Sequence, residues 1–236
     1  MRSSSIADPF CWCFRCLDSF FDPLHLLGYK RYKIKTMSAS VYISALLLAA
    51  GRGERMGGVK QLLPLGTKRM IEVSLGNLLA SRVDEVVVVL GFAVDEIRPF
   101  VHADHRVKIV TNKQFEKGMS ASIWAGMQAL DPRCTGVLIA LADQPFIPAE
   151  VIDQLIERFG AGEQGIVLPV YRGQRGHPVI LSRQYERELF ALRGDAGGRE
   201  IVRNHPEDVL EVEVDVSGVV MDIDAPEDYR KIQGDH

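Results

Sequence analysis

Apolar residues in this chain fall into short continuous runs, separated by stretches whose apolar positions recur every three or four residues. The runs are Val41 to Leu48, Val86 to Leu90, Val107 to Val110 and Gly136 to Leu141. The first two, continuous and without polar alternation, read as strands buried on both faces of a parallel sheet, and the last two read as a third and a fourth strand. Met70 to Ala80 has helical spacing, with Ile71, Val73, Leu75, Leu78 and Leu79 apolar. Val94 to Val101 reads as a helix despite Pro99, as do Met119 to Leu130, stopped by Asp131-Pro132, and Pro148 to Phe159. Alternating strands and helices imply an α/β fold with a mostly parallel sheet and helices on both faces. Ligands then belong at the C-terminal ends of the strands, where the loops after Leu48, Val110 and Leu141 converge.

Past residue 160 the rhythm changes. Gly165 to Tyr171 and His177 to Leu181 read as strands around the turn Arg172 to Gly176, predicting a smaller mixed β region near residues 165–182. Helical pieces follow near Arg183 to Leu192 and Gly198 to Asn204. Val209 to Val214 alternates like an edge strand, and Val219 to Ile223 reads as a return to the core, a strand ending in Asp222-Ile223-Asp224. Pro226 opens a final helix through Ile232.

Residues 1–36 differ from the rest. Phe10 to Cys16 and Phe20-Phe21 are aromatic and cysteine-rich, and basic residues outnumber acidic ones. Arg15, Asp18 and Asp22 interrupt the apolar stretch, so it does not read as a signal peptide. Cys11, Cys13 and Cys16 are open to zinc binding or lipidation, but lack a fourth nearby ligand. The expected organisation is a disordered extension over 1–36 and one domain over 37–236, with Met37 an alternative start. A net charge of -3 argues against general nucleic-acid binding. No apolar run approaches the roughly 20 residues that span a bilayer. Four cysteines in 236 residues, three of them before residue 17, make no disulfide framework and fit a reducing, cytoplasmic setting.

The first strand empties into a loop, Ala49-Ala50-Gly51-Arg52-Gly53-Glu54-Arg55-Met56-Gly57-Gly58-Val59-Lys60. Glycines let backbone amides approach an anion, and Arg55 and Lys60 add full positive charge to that concavity. The spacing fits neither a P-loop, having no Lys-Ser/Thr pair, nor a dinucleotide fingerprint, whose third glycine is here Met56. A plain turn is the bland alternative, but it has no use for Arg55 and Lys60. Asp143 follows the strand Gly136 to Leu141 directly, as a magnesium ligand beside phosphates would; capping the helix after it is an equal reading by position. Asp222 and Asp224, one residue apart on a strand, should point to opposite faces, one of them free to be a second ligand.

Leu-Ala-Ala-Gly-x-x-x-Arg-Met-Gly-x-x-Lys-x-Leu-Leu-Pro, read at Leu48 to Pro64, resembles the signature loop of nucleotidyltransferases, and most closely the molybdenum cofactor cytidylyltransferase family. Ala142-Asp143-Gln144-Pro145, Gly118 to Ser122, Arg175-Gly-His-Pro-Val179, Gly194 to Arg199 and Asp222 to Tyr229 are similar to further signatures of that family, in order. The resemblance runs from about Val41 to Lys231 and implies a Rossmann-like nucleotidyltransferase domain. It implies Mg²⁺ on Asp143 and Asp224, with Asp224 preferred over Asp222. Leu48, Ala49, Ala50, Gly51, Gly53, Gly118, Ser120 and Ser122 would meet the nucleotide, although the two serines would also serve to cap the helix from Met119. Ala50 marks the cytidylyl rather than the guanylyl branch, where Ala-Gly-Gly stands. Gln144, His177, Pro178, Asp195 and Arg199 would lie on the acceptor side; without the resemblance, His177 reads as an exposed turn histidine. The implied reaction is CTP plus the phosphate of a molybdopterin-type cofactor, giving a cytosine dinucleotide and pyrophosphate, with a receiving molybdoenzyme or its chaperone as a further partner. The nucleophile is already ionised, so the site need only position and neutralise anions, Arg55 and Lys60 directly and Asp143 through the Mg²⁺ it would hold with Asp224. A pyrophosphorylase with another acceptor, a non-catalytic cofactor carrier and a nicotinamide oxidoreductase are the competing readings.

Overall fold

A computed structural model describes residues 41–234; the expectations for residues 1–36 lie outside the described residues. β1 (Ile43–Ala49) is buried along its whole length, as its uninterrupted apolar run requires. It is flanked in parallel by β4 (Glu85–Leu90) and β6 (Gly136–Leu141), and β4 by β5 (Val107–Thr111). The chain builds outward from β1 through β4 to β5, then crosses back to place β6 on the other side of β1. That reversal is a topological switch point, and the crevice it leaves at the strand C-termini is where α/β sheets hold ligands.

The mixed region is an extension of the same sheet. β9 (Val179–Ser182) pairs antiparallel with β6 and with β7 (Ile166–Tyr171), and β8 (Gln174–Arg175) folds back on β7 as a hairpin. β10 (Val209–Glu213) completes the edge, parallel to β7 and half-exposed, as its alternation predicts. The sheet order is β10-β7-β9-β6-β1-β4-β5. A separate ribbon pairs β2 (Pro64–Leu65) with β3 (Lys68–Arg69).

Alternate residues of the central strands feed two apolar layers. Ala45, Leu47, Val86, Val88 and Leu138 pack under α1 (Met70–Ala80), α2 (Val94–Ile97) and α4 (Ala149–Ala161). Leu46, Leu48, Val87, Val89 and Ile139 pack under α3 (Met119–Met127), α5 (Glu186–Ala191) and α6 (Gly198–Asn204). α3 sits so close to the sheet that a Cβ on Gly126 would lie 2.9 Å from Leu46 Cδ2. α7 (Pro226–Gly234) closes the described chain.

Three expectations are corrected. The helix from Val94 stops at Ile97 and tightens into a 3₁₀ turn, Arg98–Phe100, where Pro99 has no N–H to donate. The helix from Arg183 likewise begins as a 3₁₀ turn before α5. Val219 to Ile223 is not a strand: Ser217–Val220 is a 3₁₀ turn and the segment after it is irregular. Val219 and Ile223 are buried as expected, but single tethers hold the segment, from His177 N to Val219 O at 2.8 Å and from Ile223 N to Asp143 O at 3.1 Å.

Candidate active site

The glycine loop is held by its own neighbours. Buried Gln61 donates through Nε2 to Ala49 O at 3.1 Å and Gly51 O at 2.9 Å, while Phe92 N donates to Ala50 O at 3.1 Å. In a trans peptide the N–H points opposite to the C=O. The N–H groups of Ala50 and Arg52 therefore face away from the Gln61 amide, and Leu48, Ala50, Gly51, Arg52 and Gly53 line a cavity of about 610 Å³. Gly53 is left-handed at φ 62°, and a Cβ there would lie 2.9 Å from Lys60 Cβ, so the residue permits both the turn and the approach of Lys60.

Lys60 is buried and reaches across the cleft floor. Its Nζ lies 2.6 Å from Asp143 Oδ2 and 2.6 Å from Asp224 Oδ1. The helix-capping alternative for Asp143 does not hold, since the N-cap of α4 is Pro148, without a side-chain cap. Asp222 and Asp224 do not diverge: both line a second cavity of about 480 Å³, which shares Met119, Leu141, Asp143 and Asp195 with the first. With no strand here, the two-residue alternation that separates them has no basis. Asp222 accepts a hydrogen bond from Gln144 Nε2, and the cap of α7 comes from Asp228, whose Oδ2 accepts from Ala225 N.

Two carboxylates thus share one ammonium, and Asp222 lies on the same cavity. Burial alone would lower the Lys60 pKa, but Asp143 and Asp224 outweigh it and hold the ammonium above its ordinary range. Asp143 is raised, first by burial and then by Asp222 and Asp224, against the opposing pull of Lys60. The surplus negative charge suits a divalent cation. Asp143 Oδ1 is buried without a hydrogen-bond partner. No cluster of three or more His, Cys, Asp or Glu suited to a metal occurs among the described residues. Mg²⁺ asks for less, because one or two carboxylates plus phosphate oxygens and water complete its shell. Asp143 and Asp224 fit that demand.

The acceptor side is built on His177. The ring is 6% exposed, its Nδ1 has no partner, and its pKa is lowered to about 4 by burial, with Arg199 adding to the effect. This corrects the exposed-turn reading; the ring is neutral at neutral pH. Asp195 and Arg199 are exposed along the second cavity. Gln144 and Pro178 are buried and line neither large cavity; Gln144 instead holds Asp222.

Gly118, at φ 94° and ψ -176°, fastens the two halves of the cleft: a Cβ there would lie 2.4 Å from Gly194 O. Ser120 N donates to the same oxygen at 3.0 Å. Neither Ser120 nor Ser122 caps α3, whose N-cap is Gly118. Ser122 lines the first cavity and its Oγ accepts from Asn112 Nδ2 at 3.1 Å, whereas Ser120 is buried off it. Arg55 is exposed on the 3₁₀ turn Glu54–Met56 and does not line the cavity.

Sequence reasoning missed Arg52, Gln61 and Asn112. Arg52 Cζ sits 5.8 Å and 5.5 Å from the ring centroids of Phe92 and Phe115, and the guanidinium pairs with Glu116 at the cavity mouth. Asn112 follows β5 as Asp143 follows β6, so its position at a strand C-terminus was the available signal.

A basic glycine loop after the first strand, with its lysine joined to a carboxylate just after the fourth parallel strand and to a second that the irregular segment before α7 brings to the switch point, defines a nucleotidyltransferase. The MobA-like NTP transferase domain model matches residues 45–209, and the chain belongs to that family. The chain is 30% identical over 173 residues to nicotine blue oxidoreductase of Paenarthrobacter nicotinovorans, covering 70% of this chain and 83% of that one. It is 28% identical to the purine catabolism protein PucB of Bacillus subtilis, covering 82% and 97%. Against the molybdenum cofactor cytidylyltransferase of Escherichia coli the identity is 22%, covering 79% and 93%. Among solved structures, Rv0371c of Mycobacterium tuberculosis H37Rv superposes with a TM-score of 0.73 at 31% identity, covering 82% of this chain and 98% of that one. A manganese complex of Rv0371c matches with a TM-score of 0.68 at 27% identity, covering 82% and 98%. No helix among the described residues is long and apolar enough to cross a membrane.

Proposed function

We propose that this protein transfers the cytidylyl group of CTP to the phosphate of a molybdopterin-type cofactor, with Mg²⁺, releasing pyrophosphate. The observation that carries the reading is the convergence of Lys60, Asp143 and Asp224 at the C-terminal ends of β1 and β6, between two connected cavities. The base and ribose occupy the cavity lined by Leu48, Ala50 and Gly51. Ala49, whose side chain is in the core on the other face of the sheet, contributes only backbone, and the N–H groups of Ala50 and Arg52 meet oxygens of the nucleotide. Lys60 steadies the triphosphate and the departing pyrophosphate, joined from the loop by Arg55. Asp143 and Asp224 would hold the Mg²⁺, which supplies neutralisation and polarisation of the α-phosphate. The acceptor enters from the His177 side, where a neutral ring, Asp195 and Arg199 orient it. No general base is needed, because the attacking phosphate oxygen is already ionised. Ala50 supports cytosine over guanine.

We place the domain at residues 37–236, in the cytoplasm, with the product passed to a molybdoenzyme or its chaperone. The manganese complex of Rv0371c supports a divalent ion. The test is pyrophosphate release from Mg²⁺, molybdenum cofactor and each of the four nucleoside triphosphates separately. Release with CTP alone is expected. Release with GTP alone would reverse the base assignment, and none with folded protein would move the acceptor to a sugar or alcohol phosphate, or the role to a carrier. An oxidoreductase reading, carried by the name of one relative, predicts absorbance changes with a nicotinamide cofactor; none is expected.

A further inference from the structure

We propose that Lys60 is the resident counter-ion of the two metal-binding carboxylates, closing them to a free divalent cation until the nucleotide draws the ammonium onto its phosphates. The proposal rests on the nucleotidyltransferase reading and adds an order to it: metal is admitted with the nucleotide rather than before it.

One ammonium occupies one oxygen of each carboxylate, at 2.6 Å from Asp143 Oδ2 and 2.6 Å from Asp224 Oδ1. A divalent cation bridging the pair needs those carboxylates, and two cations sharing them at such range repel. Lys60 is well placed to leave. Its Cβ is packed against Gly53, so its backbone belongs to the phosphate-facing loop, while four rotatable bonds let the ammonium swing. The site is under-neutralised even with Lys60 in place. Asp222 adds a third carboxylate, held there by Gln144, and Asp143 Oδ1 has no partner. A triphosphate changes both sides of this balance: it offers the ammonium a competing anion and supplies the extra oxygens that Mg²⁺ or Mn²⁺ requires. Metal and nucleotide then strengthen each other's binding by the same factor.

The test is Mn²⁺ binding by the whole chain, read from the loss of the free-ion electron paramagnetic resonance signal, with and without a non-hydrolysable CTP analogue. The analogue's own Mn²⁺ complex is subtracted. Without nucleotide, Lys60→Met should bind Mn²⁺ about tenfold or more tightly than wild type, the scale of one charge-assisted contact. Lys60→Arg, which keeps the charge, should stay within about threefold of wild type on the same scale. The analogue should tighten Mn²⁺ on wild type and much less on Lys60→Met. Equal Mn²⁺ affinity of wild type and Lys60→Met in the absence of nucleotide would overturn the proposal. The underlying reading fails separately: an analogue that does not bind by calorimetry overturns the nucleotide site, whereas one that binds yet leaves wild-type Mn²⁺ affinity unchanged overturns the exchange. Should Lys60→Met be poorly folded alone, thermal unfolding gives the same answer, since Mn²⁺ should raise its Tm by more than it raises that of wild type.

Discussion

His177 makes the stability of this protein depend on pH in a direction that can be worked out beforehand. Its pKa is lowered from 6.5 to about 4, first by burial and then by Arg199. Between those values the unfolded chain binds a proton that the folded chain refuses. The group's contribution is therefore fully present above pH 6.5 and is lost as pH falls through 6.5 toward 4. Taken to completion, the shift corresponds to about 3 kcal/mol, of which about 2 kcal/mol is lost by pH 5. A domain's total stability is roughly 5–15 kcal/mol, so the effect is measurable. The perturbation is His177→Gln, neutral at every pH and close in size. Urea unfolding at pH 7.5, 6, 5 and 4 should show the wild-type advantage over the variant shrinking by roughly that amount as the solution is acidified. Carboxylates elsewhere titrate in both proteins and cancel. His205 is the internal contrast: Glu188 raises its pKa. Its contribution is present at low pH and lost as pH rises through its folded value, so His205→Gln should lose more at pH 5 than at pH 8. Wild type and His177→Gln curves that stay parallel across the range would show that the ring titrates normally, and the sealed, neutral His177 would be wrong.

Other substitutions separate the parts of the cleft. Asp224→Asn should cost turnover about a hundredfold or more, while Asp222→Asn, whose carboxylate is held by Gln144 rather than shared with Lys60, should cost less than about tenfold; steady-state pyrophosphate release ranks them. Gly118→Ala forces a methyl into Gly194 at a backbone angle only glycine holds easily, which should destabilise the fold by roughly 2–5 kcal/mol in urea unfolding. Arg52→Ala removes the guanidinium that joins the glycine loop to Glu116 across the cavity mouth. Its nucleotide KM should rise by roughly fivefold with kcat within about threefold, because a mouth contact is made equally in ground and transition states.

Much of the sheet was legible because its strands are buried on both faces, and burial writes itself into sequence as unbroken apolar runs. β1, β4 and β6 are such runs, and α1 begins and ends where its spacing says. Val219 to Ile223 shows where the inference from burial to strand fails. Both end residues are in the core, but the segment threads between loops. A Cβ on Gly218 would meet Phe146 O at 2.1 Å, and one on Gly176 would meet Val219 O at 2.3 Å. These approaches are set by residues about 40 to 70 positions apart, and hydrophobic periodicity carries no record of them.

The site divides along the same line. Lys60 and Asp143 were legible as candidates because each follows a strand or loop whose end the topology brings to the switch point, whereas Asp224 was singled out over Asp222 by the family resemblance, at the end of a strand that does not form. The same argument from charge singled out Arg55 and passed over Arg52, yet with a left-handed residue at Gly53 between them it is Arg52 that lines the cavity and Arg55 that does not. Gln61 was passed over because a glutamine beside an apolar pair has no distinguishing pattern. Its function appears only when its amide is seen fixing the carbonyls of Ala49 and Gly51. Charge at a strand's C-terminal end can be anticipated from the topology, while a neutral group that fixes the backbone of a loop is defined by its partners alone. Gln61→Leu is thus expected to raise nucleotide KM severalfold while leaving Mn²⁺ affinity in the absence of nucleotide unchanged, since it disturbs the N–H groups of the loop and not the carboxylates. A variant that instead weakened Mn²⁺ binding with nucleotide KM intact would place Gln61 in support of Lys60 rather than of the loop.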